Sequence, residues 1–159
     1  MNCLFFLSPA MVIRIQRSLA IATLCLTCLL GLLVAPAYAV DLSSAPESAT
    51  AYIISPKNGD TVTDPFTVQF GLSGMGIAPA GIDRPNTGHH HLLIDVDELP
   101  SLMEPLQAST QLLHYGAGQT ETQLNLPPGE HSLQLVLGNY SHIPHDNPVI
   151  SEKITVTVK

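Results

Sequence analysis

The chain has 159 residues, 45% of them hydrophobic and only 12% charged, with six bases against thirteen carboxylates for a formal net charge of −7. So acidic a balance excludes a nucleic-acid-binding face and a polybasic membrane patch, both of which need clustered Lys and Arg. All three cysteines lie in the first 28 residues and all seven histidines lie after residue 88, which separates two stretches of very different chemistry.

The first stretch carries the pattern of an export signal. Arg14 and Arg17 precede an apolar run from Leu19 to Val34, followed by Ala37-Tyr38-Ala39. Basic region, apolar region and small-x-small site in that order mark a secretory signal peptide over 1–39, cleaved after Ala39, with Met11 rather than Met1 as the start the pattern favours. The run is near the lower length limit for a bilayer span, so an uncleaved anchor is the weaker alternative. Cys28 stands eleven residues before that site, the wrong place for an acylated lipoprotein cysteine. The cleaved chain is expected in the periplasm or outside the cell, with no stable membrane span. Removal of Cys3, Cys25 and Cys28 leaves no disulfide and no thiolate, so a metal site in the remainder must be built from His, Met and carboxylates. About 120 residues remain, enough for one domain with its own core.

Residues 40–50 are small, polar and proline-containing, and predict a flexible leader. The domain over 51–159 opens with a strand at 51–55, then turn residues around Asn58-Gly59. Phe66, Val68, Phe70 and Leu72 alternate with Thr67, Gln69 and Gly71 and predict a half-buried strand at 66–72. A loop over 73–87 delivers the chain to Gly88-His89-His90-His91-Leu92-Leu93-Ile94-Asp95, within a strand at 89–96. An irregular connection over 98–109 follows, with at most one helical turn near Ser101–Met103. Strands at 111–115 and 119–126 flank Gly116-Ala117-Gly118 as a predicted hairpin. His131, Leu133, Leu135 and Leu137 alternate through a strand at 130–138. A polar loop leads to the last strand at 149–158. About seven short strands with regular turn signals predict an all-β, antiparallel, immunoglobulin-like β-sandwich.

Strand alternation divides the histidine triplet. His90 shares a face with Leu92, Ile94 and Val96, while His89 and His91 share the opposite one, roughly 6–7 Å apart along the chain and able to converge on one ion. In a sandwich the loops at one end would bring His114, His142 and His145 to the start of the histidine strand, as an exposed rim, and leave His131 at the other end. The candidate metal ligands are therefore His89, His91, His114, His142 and His145, with His90 and His131 assigned as core-facing. Met75, a loop residue, and Met103 are the thioethers that would favour copper. Imidazole donors without thiolate suit copper or zinc, and an exposed imidazole rim would also respond to pH.

The segments GHHHLLID, GAGQTE, LPPGEHSLQLVLGNYSHIPH and SEKITVTV resemble a bacterial family known as domain of unknown function 4399, over roughly 54–158. The His-His-His-Leu motif of that family is matched by His89, His90, His91 and Leu92. The resemblance implies an exported protein and leaves the activity to be read from the residues.

Three functions compete on these residues. The favoured one is an exported module that carries or buffers copper or zinc without chemistry. A metalloenzyme would need an open coordination position and an acid or base, for which Glu121 and Asp146 are the carboxylates on offer; the chain has no GxSxG or HExxH motif. A protein-interaction domain that needs no metal is the third, while the scarcity of free aromatics counts against glycan binding.

Overall fold

Phe66, Val68 and Phe70 turn inward and Thr67 and Gln69 outward, and this alternation gives the smaller of two sheets its inner face. The computed structural model describes residues 42–159; the signal-peptide segment lies outside them. The elements are β1 (Thr50–Ser55), β2 (Thr61–Val62), β3 (Phe66–Ser73), β4 (Gly76–Ile77), β5 (Thr87–Ile94), β6 (Leu112–His114), β7 (Glu121–Leu124), β8 (Gly129–Gly138) and β9 (Ile154–Val158). Among the described residues there is no helix, and so none long and apolar enough to cross a membrane. The all-β sandwich is as expected from the sequence.

The smaller sheet has the order β1-β3-β7 and the larger β2-β9-β8-β5-β4, with β6 also paired to β5. Pairing is antiparallel except for the two-residue contacts of β2 with β9 and β4 with β5. Between the sheets lie Val68, Phe70, Leu92, Leu133, Leu135, Leu137 and Val156, all at or below 3% exposure. Fully burying an aliphatic or aromatic side chain of this size contributes about 1.5–3 kcal/mol relative to leaving it in water, so this layer supplies the main drive for folding.

A second apolar cluster, Leu93, Leu106, Leu112 and Val136, lies apart from that core. Leu93 and Val136 belong to the opposite faces of β5 and β8 from Leu92 and Leu135, so the larger sheet is buried on both sides. Leu106 comes from the irregular segment between β5 and β6, which is fastened by the Leu106 N–H donating to the His142 carbonyl at 2.9 Å. β5 is buried from Gly88 to Ile94 as a result.

Two expectations are corrected. Gly116-Ala117-Gly118 does not close a hairpin: β6 pairs with β5 and β7 pairs with β3, so the chain changes sheets there. Tyr115 drives the change, since its buried ring packs on Phe70 at 4.9 Å and leads the backbone towards the smaller sheet. The histidine strand also starts and ends two residues earlier than expected, because Asp95 takes a left-handed φ of 54° and ends it.

Candidate metal centre

β5 places His89 and His91 on one face by simple alternation, with His90 on the other, where it meets Phe70 at 5.2 Å. Across one edge His91 pairs with His114 of β6. Across the other, His89 stands opposite Gly138 and His91 opposite Val136 of β8. His142 arrives from the loop after β8, in which the His142 N–H donates to the Asn139 carbonyl and the Asn139 side-chain oxygen accepts from the Ser141 and Ile143 N–H groups. This knot holds His142 at a φ of 68°. A left-handed backbone is uncommon for a residue with a Cβ and costs on the order of 1–3 kcal/mol when the surroundings impose it.

Four imidazoles thus meet from three separate segments. Ring centres are 4.8 Å apart for His89 and His91, 5.0 Å for His89 and His114, 5.1 Å for His89 and His142, and 5.1 Å for His91 and His114. His114 and His142 lie 4.7 Å apart and His91 and His142 6.1 Å. Nitrogens of His89, His114 and His142 all fall within 4.8 Å of one another, so this group could hold one metal ion.

Two glycines make the cluster possible. A Cβ at Gly138 would come within 2.7 Å of His91 Cε1 and 3.3 Å of the His142 Cα, and a Cβ at Gly116 would overlap the His114 ring. Neither role is visible in the sequence, where both glycines read only as turn signals.

Burial differs from the expected exposed rim. His89 and His91 are fully buried, His142 is half-buried and His114 is exposed, because the segment carrying Leu106 covers the outer face of β5. A cavity of about 220 Å³, lined by Pro105, Leu106, Gln107, Ala108, His114 and His142, opens on the cluster from that side. Neither nitrogen of His89, of His91 or of the core-facing His90 has a hydrogen-bond partner. Buried polar atoms are seldom left so, since each costs about 1–3 kcal/mol. Burial first, and the neighbouring imidazoles second, hold His89 down to about 4 and His91 to about 3. His114 is lowered for the same two reasons, burial and then His142. These rings are neutral at pH 7 and keep a lone pair for a ligand.

The remaining expected positions fall elsewhere. His145 is buried, but its Nε2 lies 3.2 Å from the Thr87 carbonyl, to which it donates, and its ring lines a separate cavity with Ser43, Ser44, Asp83 and Arg84. His131 is at the far end of the sandwich, as expected, with Nδ1 2.7 Å from the Asp95 carboxylate and Nε2 2.9 Å from the Pro127 carbonyl. Glu121 belongs to the smaller sheet and accepts from the Gln69 side chain at 3.2 Å. The Asp146 carboxylate accepts from the backbone of Ala45 and Asn147. Met75 packs against the main core, and Met103 is 56% exposed.

Residues 68–159, which contain every clustered histidine, match the family described as domain of unknown function DUF4399. The chain belongs to that family. No curated protein matches it. Among solved structures, the endo-beta-1,4-mannanase from Thermotoga petrophila is 18% identical, with a TM-score of 0.43 over 70% of this chain and 20% of that one. The chain spans about a fifth of that enzyme's length, and a likeness this slight carries no argument about activity.

Proposed function

We propose that this protein is an exported domain that binds one copper or zinc ion through His89, His114 and His142, with His91 beside them, and that it carries or buffers the ion. The observation that carries the reading is the convergence of imidazoles from β5, β6 and the loop after β8, with nitrogens of His89, His114 and His142 within 4.8 Å of one another. Structural stability alone does not call for this. The imidazole-only donor set suits copper and zinc, and the acidic surface attracts cations to the cavity. Export is supported by the order of basic, apolar and small residues over 1–39.

The test is elemental analysis of the protein purified without a histidine tag, dialysed against a chelator and reloaded. About one equivalent of copper or zinc is expected in the native protein and none in a folded His89→Ala, His114→Ala variant. Full stoichiometry in that variant, or no uptake by the native protein, refutes metal binding. Cell fractionation with N-terminal sequencing tests export separately, and a cytoplasmic chain beginning at Met1 or Met11 refutes it.

A further inference from the structure

The surroundings of the three converging nitrogens differ sharply between their two sides. His89 stands on β5, in the interior of the larger sheet, and is fully buried, with the ring of His91 beside it on the same face. The strand side is therefore filled with imidazole. His91 adds no ligand atom there, since the nitrogens that come together within 4.8 Å are those of His89, His114 and His142. On the other side His114 and His142 both line the cavity of about 220 Å³ under the segment that carries Leu106. That space is several times the roughly 30 Å³ that one water takes up in the liquid. Its remaining walls are Pro105, Leu106, Gln107 and Ala108, three of them apolar and none of them a carboxylate, an ammonium or a guanidinium.

We infer that an ion held by His89, His114 and His142 turns an open coordination position towards this cavity, where a water exchanges with a small nitrogen or oxygen donor that is neutral or singly negative. The inference rests on the metal-binding reading above and deepens it. Three protein ligands leave one position for water or an incoming molecule, whereas a fourth protein ligand would close the shell. Exchange there is a plain substitution. The incoming donor forms a bond to the metal through its lone pair, the water leaves as a neutral molecule, and the oxidation state of the ion does not change. The walls select the donor by size and charge. Apolar groups give a multiply charged molecule nothing in place of its hydration, while the ion itself offsets a single negative charge. With no carboxylate on the wall to take a proton from the bound water, the opening suits passing the ion from one donor to the next better than hydrolysis.

Azide is the probe, a small singly negative nitrogen donor whose bond to copper(II) produces a charge-transfer absorption that neither partner shows alone. Copper(II) is the metal, because imidazole sites bind it more tightly than zinc(II). The tag-free protein carrying one equivalent of copper(II) should develop this band and saturate as azide is added. Ala108→Phe narrows the cavity from its wall without removing a ligand, and its metal-free thermal transition reports that it folds. That variant should keep its equivalent of copper(II) and bind azide more weakly by about tenfold or more. Copper uptake by the native protein with no azide band overturns the open position and leaves metal binding intact. An unchanged azide affinity in Ala108→Phe, or loss of its copper, overturns the placement of that position in the cavity. Uptake of neither copper(II) nor zinc(II) by the native protein overturns both readings. Should Ala108→Phe not fold, Gln107→Trp, which narrows the same cavity, provides the second measurement with the same outcomes.

Discussion

His114 stands directly opposite His91 in the β5–β6 ladder, and their rings stack with centres 5.1 Å apart and 29° between planes. Two neutral imidazoles can share that geometry, whereas two imidazolium ions would repel at this range. His91 is held by the centre of a sheet and His114 by its edge, exposed to solvent. The exposed member is thus the one that can be removed without disturbing the core. His114→Ala should leave the metal-free melting temperature within a few degrees of the parent and weaken zinc binding by about tenfold or more, as read by competition with a chromophoric chelator. An unchanged affinity would take His114 out of the site.

His142 should trade stability for binding. Its φ of 68° is comfortable for glycine and strained for histidine. His142→Gly is expected to leave the metal-free protein as stable as the parent or more so, by up to about 1 kcal/mol in urea unfolding, while abolishing tight metal binding. Clear destabilisation would mean that the ring holds the loop in place by packing.

Gly138 should not tolerate a methyl group. A Cβ there would lie 2.7 Å from the Cε1 atom of His91 and 3.3 Å from the Cα atom of His142, so it would press on both walls of the cluster at once. Gly138→Ala should cost about 1–3 kcal/mol through overpacking and lower metal affinity at the same time. Stability measured by chemical unfolding and affinity measured by competition should fall together.

The two ends of the sandwich should respond to pH with opposite sign. The Asp95 carboxylate raises the affinity of His131 for its proton, against a smaller opposing effect of burial. A raised folded-state value means that the stabilisation is complete below about pH 6.5 and is lost as pH rises through the folded value. Asp95→Asn should therefore cost stability at about pH 5.5 and much less at about pH 9. His90 is the reverse case, with burial holding it down to about 4. Its contribution is intact above about pH 6.5 and is lost as pH falls towards about 4, on the order of 3 kcal/mol if the ring stays neutral throughout. In the metal-free protein His90→Leu should flatten the acid limb of the stability profile, and an unchanged limb would show that burial of this ring is not what the acid attacks.

Periodicity makes much of this legible in the linear string. The alternation at 66–72 and 130–138 marks the inner faces of both sheets, and the same rule separates His90, packed on Phe70, from His89 and His91. What alternation cannot encode is the cover over the outer face of β5. The segment bearing Leu106 has no period of its own, so neither its packing over the histidines nor their burial can be read from it. The turn at Gly116–Gly118 announces a reversal of the chain without saying whether it stays in one sheet. His142 and His145 are equivalent candidates by spacing. Only the loop tied by Asn139 sends one to the cluster and the other to the Thr87 carbonyl.

β4 and β6 share one edge of β5, and β8 occupies the other along nearly its full length. Amide protons of His89 through Leu92 are therefore expected to exchange with solvent only when the whole domain opens, while those of the His142 turn exchange by local fraying. An ion seated among these rings would have a fixed wall on the strand side and a yielding one on the loop side. Its residence time would then be a property of the turn around Asn139 and of the strap hooked to it by Leu106, and mutations there would retune release without touching a single ligand.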